Sequence, residues 1–149
     1  MSPEDLKRFA LFAEFAEEDR ELLVELLEER SLAHGRSVFR EGVESDGLVL
    51  LSEGRLKLES GRSADALGEL EAPAHLGATG LFSLGKREVS AFAEGAATVQ
   101  ILPRAALARL VEDAPRAAFR LAEAVLTEFG GWVREELDGL AEHDLADAP

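Results

Sequence analysis

Short apolar stretches separated by glycines fill the middle of the chain and constrain its fold more than any other feature. They recur with a spacing of roughly 8–12 residues between Ser31 and Leu102, and turn signals lie between them, which is typical of an antiparallel sandwich or barrel. The predicted strands are Arg36–Arg40, Gly47–Leu51, Arg55–Glu59, Ala66–Leu70, Val89–Ala93 and Ala97–Leu102. In the third of these, leucines alternate with charged residues, so one face should be buried and the other solvated.

Helical patterns flank this central region. Pro3 with two acidic residues is a good helix start for residues 3–16, and Glu17–Glu29 carries its leucines on one face. Pro103 and Pro115 begin two further predicted helices, the second of which should run to about residue 142. We therefore predict one α+β domain over residues 1–142. Its parts are N-terminal helices (1–30), an antiparallel jelly-roll β-barrel (31–102) and C-terminal helices (103–142), followed by an acidic tail (143–149).

Composition excludes several classes of protein. The 149 residues suit one domain, and 30 acidic against 16 basic residues give a net charge of −14, which would repel DNA. No apolar run approaches the ~18 residues of a membrane span, and Met1–Asp5 lacks the features of a secretion signal. The absence of cysteine excludes disulfides, thiolate zinc sites and cysteine catalysis. The sequence predicts a cytoplasmic protein with no membrane contact and no direct DNA binding.

Signatures of catalysis and metal binding are missing. The sequence contains no GxSxG, HExxH or GxxxxGK[ST] motif, and its carboxylates follow helix faces as a solvated surface would. His34, His75 and His143 are far apart in the chain and lack the i, i+4 spacing of a metal site. We expect no enzyme and no metal, and we interpret His75 as an exposed or satisfied histidine.

A candidate anion site follows His75. There a strand end meets Gly77, a short helical turn follows, and Arg87 precedes the next strand. Glycine lets the backbone approach a ligand closely, and the first amides of a helical turn are unpaired and attract anions. In the functional interpretation, Arg87 neutralises a phosphate. In the alternative interpretation, Arg87 pairs with Glu88 or with another carboxylate on the rim of the barrel.

This segment resembles the phosphate-binding cassette of the cyclic-nucleotide-binding domain, as found in Crp/Fnr transcription regulators. The matching positions are Gly77, Gly80, Leu81, Phe82, Arg87, Ser90 and Ala93, and the turn glycines Gly35, Gly42 and Gly54 and the segment Ile101–Arg104 match the family as well. The resemblance implies a cyclic-nucleotide-binding-like, cupin-like jelly roll with a long C-terminal helix. It also implies a phosphate site formed by Arg87, by the amides near Ala78 and Thr79, and by the Ser90 hydroxyl.

The sequence departs from the family pattern at the sugar and base positions. Ala78 replaces the family's glutamate, which accepts a hydrogen bond from the ribose 2′-hydroxyl, and Glu88 stands where the family prefers a small residue. The family positions that reach the base fall near Trp132 and Val133. Trp132 could stack on a base, or it could occupy the space that a ligand would take. We favour the second interpretation. The implied ligand is a cyclic nucleotide (cAMP or cGMP) or another phosphate-bearing molecule.

The last predicted helix is too long for a barrel of this size, since roughly 28 residues span about 40 Å. One apolar row steps by three and four residues and a second row runs beside it, so one row could pack on the barrel and the other on a partner helix. The first row is Phe119, Ala122, Leu126, Phe129, Val133 and Leu140, and the second is Leu121, Val125 and Trp132. We therefore expect a homodimer that pairs along this helix, and the resembling family also dimerises in this way. The alternative is a helix that bends back at Gly130–Gly131.

Two hypotheses for function remain open. The first is a stand-alone, divergent regulatory sensor of the Crp/Fnr type that signals to another protein through its C-terminal helix. No winged helix-turn-helix is expected in Asp138–Pro149, so the output would be a protein partner. The second is a ligand-free interaction and dimerisation module with a degenerate pocket. Gly77, Arg87 and Ser90 favour the sensor, whereas Ala78 and Trp132 favour the module.

Overall fold

Six antiparallel strands lie between helical segments at the two ends of the chain. The computed structural model describes the backbone of residues 1–146 and the side chains of residues 1–142. In chain order the elements are the 3₁₀ turns Asp5–Arg8 and Ala10–Phe12, α1 (Glu17–Leu26), β1 (Glu28–Leu32), β2 (Ser37–Phe39), β3 (Gly47–Glu59), β4 (Gly68–Glu71), β5 (Ala74–Leu76), the 3₁₀ turn Ala78–Leu81, β6 (Ser90–Pro103), α2 (Arg104–Asp113) and α3 (Pro115–Ala146).

The two long strands β3 and β6 organise the sheet. They pair with each other along their length, and register shifts between Leu51 and Arg55 divide this pairing into two halves. One half adds β1 and β5 at its edges, and the other adds β2 and β4. The result is a pair of packed layers with jelly-roll character. The order β1-β6-β3-β4 leaves the sheet open, so the predicted barrel is not closed.

Both faces of the first half of β3 are covered, which explains its unbroken apolar run. Leu48 and Leu50 face the cluster formed by the N-terminal turns, α2 and α3, whereas Val49 and Leu51 face the cluster between the two layers. Alternate residues of a strand point to opposite faces, so a strand buried on both sides must be apolar throughout. This double burial fixes β3 between the helices and the second layer.

The predicted α+β class, the C-terminal helices and most of the strands are present. β3 combines two predicted strands, and so does β6. The helix predicted over residues 3–16 is wrong, because the chain forms two 3₁₀ turns there. Phe9, Leu11, Phe12 and Phe15 are all buried and belong to the core cluster, so this segment packs against the domain without forming an α-helix.

β1 was not predicted, and the preceding helix ends at Leu26 instead of Glu29. Four of the five residues of β1 are exposed, so the strand carries no apolar alternation and is held by its pairing with β6. At the other end of the chain, α3 continues to Ala146 and includes the first four residues of the predicted tail. Residues 147–149 lie outside the described residues. No helix within residues 1–146 has both the length and the apolar character needed to cross a membrane.

α3 passes through Gly130 and Gly131 as one uninterrupted helix. A methyl group added at Gly131 would meet nothing within 4 Å. We therefore expect Gly131→Ala to raise the free energy of unfolding by about 0.5–1 kcal/mol, because glycine in a helix loses more backbone entropy than alanine. Urea denaturation measures this change, and Gly139→Ala, which also enters open space in α3, is the matched control. A loss of stability confined to Gly131→Ala would instead indicate a second backbone packed against that position.

Candidate ligand-binding cleft

A cleft of ≈ 520 Å³ opens between the sheet, the loop before β6 and α3. This volume falls within the ~300–1,000 Å³ range of small-molecule sites. The sheet contributes Phe39, Leu58, Leu70, His75 and Leu76, the loops contribute Ser45, residues 77–80 and residues 83–89, and α3 contributes Val125, Glu128, Phe129 and Trp132. The lining is mainly apolar on the sheet and helix sides, and its charged groups are concentrated on the loop and at one point of α3.

Gly77 begins the turn at the base of the cleft. Its φ of 74° and ψ of 26° place it in the left-handed region, which glycine adopts without steric cost. A Cβ at this position would also overlap the Nη1 atom of Arg87, so the missing side chain makes room for the guanidinium. The first hydrogen bond of the turn runs from the Gly80 amide to the Gly77 carbonyl at 2.9 Å. The amides of Ala78 and Thr79 precede that bond and are not used by the turn.

Arg87 is held in a defined place by its own backbone and by its surroundings. Its amide donates to the Val43 carbonyl at 2.7 Å, and its carbonyl accepts from the Gly42 amide at 2.8 Å. The side chain turns inward, where Nη2 donates to the Gly47 carbonyl at 3.0 Å and Cζ lies 4.3 Å from the centroid of the Phe39 ring. The residue is only 8% exposed.

The positive charge of Arg87 is poorly compensated by the protein. The carboxylate within 4.0 Å of its guanidinium belongs to Asp46, whose side chain is 89% exposed and therefore screened by water. Burial lowers the pKa of Arg87, and the Asp46 carboxylate opposes that effect, yet an arginine remains protonated in either case. A buried cation with one neutral acceptor and a solvated carboxylate at a distance is poised to accept an anion. Among residues with described side chains, Glu88 forms no ion pair with Arg87.

The structure brings five of the six predicted site residues to this cleft: Gly77, Ala78, Thr79, Arg87 and Trp132. Ala78 presents only a methyl group, so the cleft has no acceptor at the position of the family's glutamate. Ser90 lies outside the cleft lining, and its hydroxyl accepts a hydrogen bond from the Glu41 amide at 2.9 Å. Trp132 stands at the mouth of the cleft, 56% exposed, and does not fill it.

A histidine–carboxylate pair in the cleft was missed from the sequence. His75 Nε2 lies 2.9 Å from Oε1 and 2.8 Å from Oε2 of Glu128, so the pair joins β5 to α3. The signal for it was present, since Glu128 falls between Val125 and Trp132 on the apolar row that packs inward. Among the residues whose side chains are described, no three His, Asp or Glu residues are grouped to hold a metal ion.

Comparison with known proteins agrees with this geometry. The family model described as "Cyclic nucleotide-binding domain" matches residues 29–114. The N-terminal domain of a transcriptional regulator from Streptomyces coelicolor is 27% identical, with a TM-score of 0.78 over 91% of this chain and 94% of that chain. A cyclic nucleotide-binding-like protein from Brucella abortus is 26% identical, with a TM-score of 0.66 over 75% and 98% of the two chains. No curated protein matches the chain.

The Catabolite Activator Protein of Thermus thermophilus is a further structural neighbour, 26% identical with a TM-score of 0.74. The match covers 88% of this chain and 62% of that protein. The fold and the match over residues 29–114 therefore place the chain in a class of domains that occurs in regulatory proteins. The chain belongs to the cyclic nucleotide-binding domain family, and its structural relatives include domains of Crp/Fnr-type regulators.

The contact between Gly77 and Arg87 can be tested by substitution. Gly77→Ala combines an unfavourable left-handed φ, which costs about 1–2 kcal/mol, with overlap of the Arg87 guanidinium. Gly35→Ala has the same φ problem but enters open space, and Gly85→Ala has neither problem. We expect the loss of unfolding free energy to be largest for Gly77→Ala, smaller for Gly35→Ala and near zero for Gly85→Ala. Equal losses at Gly77 and Gly35 would mean that Arg87 moves away at no cost.

Proposed function

We propose that this domain is a regulatory sensor that binds a phosphate-bearing ligand, with a cyclic nucleotide as the first candidate. The ligand would lie in the cleft with its phosphate against Arg87 and the amides of Ala78 and Thr79. Binding would be communicated to a protein partner through α3. The proposed role is recognition without catalysis.

The buried charge of Arg87 is the observation that carries this proposal. Keeping a guanidinium about nine-tenths buried beside a neutral carbonyl is unfavourable unless an anion completes its coordination. Ala78 and Thr79 line the cleft next to Gly77, and their amides, which the turn does not use, could add hydrogen bonds to a phosphate. Arg87, Gly77 and the turn would together form the anion pocket.

A second candidate function has support of its own. Arg87 already donates to Gly47 and lies over Phe39, so its guanidinium also contributes to packing. Position 78, where the family has the glutamate that accepts from the ribose, is alanine. Loss of a charge-assisted hydrogen bond of roughly 1.5–3 kcal/mol corresponds to about a ten- to hundredfold weaker complex. A ligand-free interaction module with this fold is the alternative.

Isothermal titration calorimetry with cAMP and cGMP distinguishes the two functions. We expect saturable binding, and we expect Arg87→Gln to weaken it about ten- to hundredfold, because a charged hydrogen bond to phosphate is worth roughly 1.5–3 kcal/mol. Arg40→Gln is the matched control, since the Arg40 guanidinium also lies over a phenylalanine ring, 5.7 Å from the centroid of Phe92, but outside the cleft lining.

Folding of each variant is checked by circular dichroism before titration. Absence of heat at millimolar ligand from a folded wild-type protein would reject cAMP and cGMP as ligands. Equal weakening by Arg87→Gln and Arg40→Gln would place the bound phosphate away from the cleft.

We also propose that α3 pairs with a second copy of the chain. Its outward face carries a continuous row of large apolar side chains: Phe119 (68% exposed), Leu126 (68%), Phe129 (49%), Val133 (41%), Leu137 (59%) and Leu140 (61%). Such a patch on one helix face is expected to be covered in the functional assembly. The heptad-like steps of three and four residues fit a partner helix, and a self-complementary row fits a two-fold dimer.

Sedimentation velocity tests this pairing. We expect the wild-type protein to sediment with twice the 16.1 kDa mass of the chain. Leu126→Glu should convert it to monomer, because it places a charge in the middle of the apolar row. Thr127→Glu introduces the same charge at the neighbouring exposed residue, off that row, and should leave the dimer intact. Monomeric wild-type protein, or dissociation by both variants alike, would contradict a helix-mediated dimer.

A further inference from the structure

The long helix is anchored to the domain by apolar packing over its first third only. Ala117, Ala118, Leu121 and Val125 are at most 7% exposed and belong to the core cluster. Between Leu126 and Glu142, where the side chains are described, the large apolar residues are all at least 41% exposed: Leu126, Phe129, Trp132, Val133, Leu137 and Leu140. Hydrophobic packing within one chain therefore holds the helix much less firmly after Val125 than before it.

A polar contact between α3 and β5 lies just beyond the last buried apolar residue of the helix. Glu128 follows Val125 by three residues and presents both carboxylate oxygens to His75 Nε2, at 2.9 and 2.8 Å. Among the described side chains, this is the hydrogen-bonded link between α3 and the sheet. The side chains of His75 and Glu128 are 16% and 27% exposed, so water screens the pair less than it screens a surface ion pair.

The two residues of this contact lie in regular secondary structure that borders the cleft. His75 lies in β5, where it pairs with Leu50 of β3 inside the sheet. Glu128 lies one turn before Trp132, and both residues line the cleft. Glu128 also borders a second cavity of ≈ 530 Å³ between α3 and the segment from Ala10 to Phe15. The pair therefore sits where the sheet, the cleft and the free part of the helix meet.

We propose that the His75–Glu128 pair is a latch that sets the position of α3 over the cleft. Breaking it leaves a half-buried carboxylate or imidazole without a partner, which favours movement of the helix into water. Because the large apolar side chains from Leu126 to Leu140 are at least 41% exposed, we expect this contact to contribute much of what holds that part of the helix beside the sheet. The latch acts on the helix in the free protein and does not depend on which ligand the cleft takes.

The single tryptophan of the chain reports the position of the helix. Trp132 is the sole tryptophan and there is no tyrosine, so its fluorescence is unmixed. We expect Glu128→Ala to shift the Trp132 emission to longer wavelength, to increase its quenching by acrylamide, and to accelerate amide exchange from Leu126 onward. His75→Ala should give the same changes from the other side of the contact. Glu135→Ala, at an exposed carboxylate two turns further along α3, is the matched control and should change none of these quantities.

The double variant shows whether the two residues act as a unit. Removing both partners should change the fluorescence and the exchange no more than removing either one. All variants are compared at the same protein concentration, with sedimentation confirming the same oligomeric state. A Glu128→Ala protein that matches Glu135→Ala in quenching and exchange would overturn the proposal. Additive effects of His75→Ala and Glu128→Ala would overturn it as well, since the residues would then act separately.

Discussion

A buried positive charge is the constraint on which the rest of the site depends. Arg87 can lie inside the domain only because Gly77 has no side chain, because the Gly47 carbonyl accepts one of its protons, and because the face of Phe39 covers its guanidinium plane. Its backbone is fixed by hydrogen bonds to Gly42 and Val43. The left-handed glycine, the turn behind it and the loop before β6 are therefore parts of one arrangement around a single cation.

The second organising feature is the division of α3 into an anchored part and a projecting part. The anchored part completes the core with α2 and the N-terminal turns, whereas the projecting part carries its apolar residues outward. Phe129 belongs to that outward row and also lines the cleft, and Trp132 stands at the cleft mouth. A change at the cleft and the proposed pairing of the helix would therefore both act on Phe129, as the proposed signalling through this helix requires.

The sequence predicted features that depend on local spacing. Glycine-bounded apolar runs marked β3 and β6, and the closeness of Gly77 to Arg87 in the chain marked the candidate anion site. Features that depend on distant partners were missed or placed wrongly. β1 is a strand because β6 pairs with it, although its exposed residues show no pattern. His75 and Glu128 are 53 residues apart, and Ser90 turns to the Glu41 amide, which only the tertiary structure reveals.

We propose that the Arg87 guanidinium binds an anion, and that group can be observed itself. Nuclear magnetic resonance of the ¹⁵N-labelled arginine side chains, recorded during titration with cAMP, follows Arg87 separately from the other arginines once its signals are assigned by substitution. If the ligand binds in the cleft, the Arg87 side-chain signals should shift saturably at the same ligand concentration that shifts the amides of Ala78 and Thr79. Unchanged Arg87 signals in a folded protein, up to millimolar concentrations of both cAMP and inorganic phosphate, would contradict it.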